Sequence, residues 1–200
     1  EILSGLVGSE MCIRDSNLIN YFKIATKEPI KVIDIDDLIL EELVAFNPNA
    51  IVISPGPGRP SDYPKLFKVI ETFYQQVPIL GVCLGFQVVY EYFGGKIVHR
   101  NNPIHGHTTK LSHQQLGIFK GIPHSFNVML YHSLMADKET LPNELKVTAI
   151  GEDGVIMGLQ HQQYSIFAVQ YHPESILSEH GYNQIQNFLE IVGENIEYRI

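Results

Sequence analysis

The stretch Val77–Pro–Ile–Leu–Gly–Val–Cys83–Leu–Gly–Phe–Gln87 constrains this chain more than any other. A short apolar run ends at Val82, and a helix-favouring segment runs from Leu84 to Phe93, where Gly94–Gly95 stop it. Gly81 and Gly85 flank Cys83 two residues to either side. That spacing is the one of a nucleophile elbow, a strand-to-helix turn so tight that only small neighbours let the chain pass, here with cysteine in the serine position. The turn sets the thiol at the carboxyl end of a strand, above a helix N-terminus whose partial positive charge favours a thiolate. The N–H of Leu84 points into the same space and can stabilise an oxyanion. A structural cysteine packed in a strand-to-helix turn is the plainer alternative for any lone cysteine. The two glycines favour the nucleophile.

A second apolar run, Ala50–Ile–Val–Ile53, ends in Ser54–Pro–Gly–Pro–Gly58, as a buried parallel strand closed by a rigid turn does. Around these two strands the pattern predicts a helix over 17–26 and a strand over 30–35. It then predicts a helix capped by Asp36–Asp37 and running through Leu43–Val44. Leu66, Val69, Ile70 and Phe73 have helical spacing and place another helix over 62–75. This alternation predicts an α/β fold with a mainly parallel central sheet flanked by helices. The second half changes character. Short candidate strands over 96–98, 109–111, 127–130, 146–150, 155–159 and 166–170, several of them antiparallel, predict an additional smaller antiparallel sheet. A last helix is expected from Glu179 to Val192.

With 200 residues, 44% of them hydrophobic, the chain can bury one substantial core, and with 18% charged it does not have the composition of a disordered segment. A net charge of -8 without any Lys/Arg block disfavours nucleic acid and anionic membrane as partners. No apolar run approaches the ~20 residues of a membrane span. Cys12 and Cys83 are the only cysteines, so no disulfide framework is expected at this size and count, and a reducing, cytoplasmic setting is. Residues 1–16 stand apart. Glu1 is the wrong start for a secretory signal, and EMCIRDS resembles a translated adapter or cloning scar. A non-native leader over 1–16 and one domain over 17–200 are therefore expected, and Cys12 is assigned no role.

A cysteine nucleophile needs an imidazole to hold its thiolate and to protonate the leaving amine. Of nine histidines, His172 stands out in Tyr171–His–Pro–Glu–Ser175, directly after a predicted strand. Pro173 keeps His172 extended, and Glu174, two residues on, can leave the same side and orient the ring. The same segment also reads as a loop histidine with a capping glutamate before the final helix. His105–Gly106–His107 lacks a third ligand at recognisable spacing, so no metal is expected. His99, His113, His124, His161 and His180 are expected on the surface or in loops.

Together, Ser54–Gly58, Gly81–Val–Cys–Leu–Gly–Phe–Gln87 and Gln170–Tyr–His–Pro–Glu–Ser–Ile–Leu–Ser178 closely resemble the class I (triad-type) glutamine amidotransferases. Within that family the chain is similar to the small subunits of anthranilate and aminodeoxychorismate synthases. The resemblance runs from about residue 17 to 192, with Tyr131–His–Ser–Leu134 and His105–Gly106 as further matching segments. It implies a flavodoxin-like fold, with Cys83 as nucleophile, His172 as base and Glu174 as its partner. It implies that Gly56, Pro57 and Gly58 line the glutamine site and lend an oxyanion N–H. Gln87 then contacts the substrate's side chain, while Ser133 and Leu134 bind its amino-acid end. L-glutamine is the implied substrate, no cofactor is called for, and a chorismate-binding synthase subunit is the implied partner. Two departures stand out. The family's first strand and its acidic stretch are replaced here, which leaves that edge of the sheet in question, and Phe86 stands where histidine is common. The alternative readings are a stand-alone thiol γ-glutamyl hydrolase and a non-catalytic regulatory subunit; the intact triad argues against the second.

Overall fold

The computed structural model describes residues 2–6, 12–100, 106–131 and 133–197. His105 and His132, both within segments matched by the resemblance, lie outside the described residues, as does the side chain of Cys12.

The first half alternates strand and helix: β1 (Ile2–Leu6), α1 (Cys12–Ala25), β2 (Ile30–Asp34), α2 (Leu40–Phe46), β3 (Ala50–Ile53), α3 (Pro64–Phe73), β4 (Ile79–Val82) and α4 (Leu84–Tyr92). The second half is mostly strands: β5 (Ile97–His99), β6 (His107–His113), β7 (Ser125–Leu130), β8 (Leu134–Ala136), β9 (Leu145–Gly151), β10 (Ile156–His161) and β11 (Ile166–Val169), then α5 (Gly181–Glu197). Among the described residues, nine strands form one sheet in the order β2-β1-β3-β4-β11-β10-β9-β6-β7, and β5 pairs with β8 in a small separate sheet. The pairs from β2 to β11 are parallel. Those from β11 to β7 are antiparallel. The fold is thus the expected α/β one. Most of the antiparallel strands extend the central sheet, and only β5 and β8 stand apart.

The central strands are apolar on both faces because both faces are covered. In β3, Ala50 and Val52 pack with Leu18 and Phe22 of α1 and Phe188 of α5. Ile51 and Ile53 face the other way, toward Leu43 of α2, Ile70 of α3 and Phe86 of α4. Each such side chain contributes about 1.5–3 kcal/mol by leaving water, which is why a continuous apolar run marks a strand of this type. The residues that fix α3 are the ones whose spacing predicted it: Leu66, Val69, Ile70 and Phe73 are all buried.

Several local expectations are corrected. Asp36–Asp37 cap no helix: α2 starts at Leu40 after Ile39, and the Asp36 N–H is instead satisfied by the Asp34 carboxylate at 3.0 Å. The start predicted at Asp62 belongs to a separate 3-10 turn, Pro60–Asp62, with α3 proper starting at Pro64. His113 and His161 are buried, not surface residues. His113 Nε2 donates to the Pro123 carbonyl at 2.6 Å, and His161 Nδ1 accepts the N–H groups of Gln163 and Tyr164. Burial is the chief force pushing both rings toward the neutral form.

Within the segment expected to be a leader, residues 2–6 form β1, in register with both β2 and β3, and α1 runs across residue 17. The sheet edge left in question by the missing family strand is formed by β2, with β1 interior. A parallel slot asks chiefly for alternating backbone donors and acceptors, which Ile–Leu–Ser–Gly–Leu supplies as well as other sequences do.

Candidate active site

The site forms where three parallel strands end side by side. β3 and β11 flank β4, with Ile53 opposite Gly81 and Val169 opposite Val82. The loop after β3 (Gly56–Gly58), the turn after β4 (Cys83) and the loop after β11 (His172, Glu174) therefore leave the same edge. Ligands in open α/β sheets bind along this carboxyl edge.

Cys83 has φ 54° and ψ -98°, a left-handed conformation that is costly for any residue bearing a Cβ. Its backbone N–H donates to the Val169 carbonyl at 2.8 Å, which pins the turn to β11. Close approach explains both glycines. A Cβ on Gly81 would lie 2.6 Å from the carbonyl carbon and oxygen of Gly85, and one on Gly85 would lie 2.3 Å from the Ile53 oxygen. The thiol stands at the N-cap of α4. The first N–H groups of that helix, Leu84 among them, have no intrahelical partner, and the Cys83 side chain caps none of them.

His172 and Glu174 are almost wholly buried, and His172 Nδ1 donates to Glu174 Oε1 at 2.6 Å. Nε2 makes no hydrogen bond among the described residues, so it remains open to a reacting group. Burial alone would keep the ring neutral, but the neighbouring Cys83, and then Glu174, outweigh it and push the pKa from 6.5 up to about 10. The edge of one ring meets the face of the other between Tyr131 and His172, at 5.3 Å and 87°. The His172 loop is held firmly. Its N–H donates to the Met129 carbonyl at 3.3 Å, and the Ser178 hydroxyl donates to the His172 carbonyl at 2.6 Å while accepting the Met129 N–H at 2.9 Å. Gly181, at the start of α5, lets this loop pass, since a Cβ there would stand 1.7 Å from the Pro173 oxygen.

The remaining expected site residues lie in the loop after β3, on α4, and at the start of β8. Pro57 and Gly58 are exposed and Gly56 half-buried; Gly58 has φ +75°, and the Tyr63 hydroxyl donates to the Pro57 carbonyl at 2.9 Å. Gln87, one turn into α4 from Cys83, is buried. Ser133 and Leu134 follow Tyr131, and the Ser133 carbonyl accepts the Arg100 N–H at 2.8 Å. A cavity of about 370 Å³ opens beside Leu134, between Arg59, Glu91 and His99, and neither Cys83, His172 nor Glu174 lines it. Sequence reasoning missed Gln170, Tyr131 and Ser178 as parts of the site. All three stand in segments that carry the resemblance, Gln170–Ser178 and Tyr131–Leu134, but their contacts join distant parts of the chain, so the sequence assigned them no role.

A cysteine on a strand-to-helix elbow, beside a histidine oriented by a buried carboxylate on an α/β sheet, is an arrangement with the chemistry for thiol-dependent acyl transfer. The family described as "Glutamine amidotransferase class-I" matches residues 15–192, and the chain belongs to that family. Anthranilate synthase component 2 of Pseudomonas aeruginosa is 41% identical over 182 residues, covering 88% of this chain and 90% of that protein. Aminodeoxychorismate synthase component 2 of Klebsiella aerogenes is 44% identical over 154 residues, covering 77% and 82%. The Bifunctional protein TrpGD of Thermotoga maritima is 46% identical over 178 residues; the match takes in 88% of this chain but only 30% of that protein. Among solved structures, a GMP synthase-like protein of Thermoplasma acidophilum superposes with a TM-score of 0.84 over 99% of this chain and 96% of its own; at 24% identity it bears on the fold alone.

Among the described residues no helix is long and apolar enough to cross a membrane.

Proposed function

We propose that this chain hydrolyses L-glutamine to glutamate and ammonia through Cys83, His172 and Glu174, and delivers the ammonia to a chorismate-using synthase subunit. The observation that carries this reading is the buried His172–Glu174 contact of 2.6 Å, set beside Cys83 with Nε2 open. The relatives named as component 2 of anthranilate and aminodeoxychorismate synthases supply the partner: a component 2 implies a component 1.

The Cys83 thiolate adds to the side-chain carbonyl carbon of glutamine. The oxyanion is held by the N–H groups of Leu84 and of a glycine of the Gly56–Gly58 loop. As the tetrahedral species collapses, the C–N bond breaks and His172 gives its proton to the departing nitrogen, which leaves as ammonia. A thioester on Cys83 remains. His172 then takes a proton from water, the resulting hydroxide adds to the thioester, and the C–S bond breaks to release glutamate and restore the thiolate. Glu174 holds the ring in place and stabilises its charge through both halves. Gln87 contacts the substrate side chain, and Ser133 with Leu134 receives its amino-acid end. No chorismate site is needed in this chain, since its product is ammonia. The two-cysteine composition suits a cytoplasmic enzyme that keeps its thiol reduced.

Mixing the chain with an anthranilate synthase component 1 and, separately, an aminodeoxychorismate synthase component 1, each with chorismate and glutamine, tests the reading. One aromatic product, or both, should depend on this chain when glutamine is the nitrogen source. If neither mixture makes product from glutamine, though each does so from ammonia, the reading is wrong.

A further inference from the structure

We propose that Gln170 is a further catalytic residue, whose carboxamide N–H is a second donor to the Cys83 sulfur and whose orientation is set by Gln87. The inference rests on the glutamine-hydrolysing role of Cys83 proposed above.

Gln170 follows β11 directly and is wholly buried. Its backbone N–H donates to the Met157 carbonyl at 3.0 Å, while the preceding residue, Val169, accepts the Cys83 N–H. The side chain therefore starts from a backbone fixed against the elbow. Its Nε2 lies 3.9 Å from Cys83 Sγ, and its Oε1 accepts from Gln87 Nε2 at 3.4 Å. Gln87 is itself buried, and its backbone N–H donates to the Cys83 carbonyl at 3.2 Å. Two carboxamides thus form a buried chain that ends on the nucleophile.

The direction of that chain matters. A thiolate only accepts hydrogen bonds, so a carboxamide beside it must present nitrogen, not oxygen. Gln87 enforces this by donating to the Gln170 oxygen. A fully buried carboxamide without partners would be costly, so the pair gains by holding this arrangement. In a buried site a charged sulfur needs donors, and His172 supplies only one direction of approach; Gln170 supplies another. The 3.9 Å separation is long for such a bond and shortens as the sulfur gains charge. The residue proposed to meet the substrate also orients the donor on the nucleophile, so glutamine binding and thiolate stabilisation share one side-chain pair.

The test uses the complex of this chain with its synthase partner, in the variants Gln170→Met and Gln170→Glu. Gln170→Met keeps the volume and removes the donor. Its kcat for glutamine should fall roughly 10- to 100-fold, as expected for one hydrogen bond to a charged group, with KM changed by less. Iodoacetamide alkylation of Cys83 should move to higher pH, because the thiolate has lost a donor. A merely structural role would lower the melting temperature and leave that pH profile in place. If Gln170→Met does not fold, Gln170→Glu reads the same contact: alkylation at neutral pH should slow as the carboxylate gains charge beside the sulfur. A wild-type-like alkylation profile and kcat in a folded variant would overturn the inference. A wild-type complex that turns over no glutamine would instead overturn the amidotransferase reading, and this inference with it.

Discussion

His172 Nδ1 lies 2.6 Å from Glu174 Oε1, and each side chain is only 1% exposed. The contact fixes which ring nitrogen faces the thiol, because a carboxylate can only accept. Glu174→Gln keeps the shape but can present its NH₂ to the ring. It should lower kcat for glutamine by roughly 10- to 100-fold, the range expected when a hydrogen bond to a charged group is lost. Ammonia-dependent synthesis by the complex should be unchanged. Steady-state rates with each nitrogen source provide the check, and equal loss with both would point to damage outside this pair.

The pH dependence of stability follows from the same ring. Its pKa in the folded chain, about 10, is raised above the ordinary 6.5 by Cys83 and Glu174, against the opposing effect of burial. A raised pKa means that the folded state holds the proton more tightly than the unfolded one. The stabilisation is fully present below about 6.5 and is lost as the pH climbs through about 10. The stability difference between wild type and His172→Gln should therefore shrink steadily between neutral pH and about 10. Urea titrations at a series of pH values measure it, and a constant difference would contradict the assignment.

Gly85 gives a prediction about the elbow itself. A Cβ there would stand 2.3 Å from the Ile53 carbonyl oxygen, which belongs to the rigid backbone of β3. Neither side can yield cheaply, so Gly85→Ala should cost at least the about 1–3 kcal/mol typical of overpacking. Because the strain falls on the Cys83 turn, glutamine turnover should fall as well. A variant as stable and active as wild type would mean that the turn is looser than described.

The elbow was readable in the sequence because its spacing is local. Gly81, Cys83 and Gly85 lie within five residues, and the conflict that demands Gly81 arises against Gly85 itself, although the one that demands Gly85 comes from Ile53 on the neighbouring strand. The buried strands Ala50–Ile53 and Ile79–Val82 were readable for a similar reason, since cover on both faces leaves an unbroken apolar run. β1 was not. Its place comes from pairing with β2 and β3, and Ile–Leu–Ser–Gly–Leu carries no pattern of its own. Asp36 misled because a short acidic side chain suits a turn as well as a helix cap, and here Asp34 takes the turn role. Gln170 and Tyr131 reach Cys83 and His172 only through the third dimension, across 87 and 41 positions of the chain.

Behind His172, the Tyr171 hydroxyl donates to Gln184 Oε1 on α5, with both residues buried. Burial raises the phenol's pKa well above 10, so it stays a donor throughout the working range. Tyr171→Phe removes the donor and strands the Gln184 oxygen, at a cost of about 1–3 kcal/mol. Thermal melts should show the loss, and kcat should change little provided His172 keeps its bonds to Met129 and Ser178. An unchanged melting temperature would mean that the Tyr171–Gln184 bond contributes nothing.

The central claim is that Cys83 makes the ammonia that a partner consumes. Cys83→Ala, assembled with its synthase subunit, should lose glutamine-dependent product formation while retaining synthesis from added ammonia. Wild type should show both, and its Cys83 should be alkylated selectively at neutral pH and protected by glutamine. Glutamine-dependent synthesis by the Cys83→Ala complex at the wild-type rate would contradict the account.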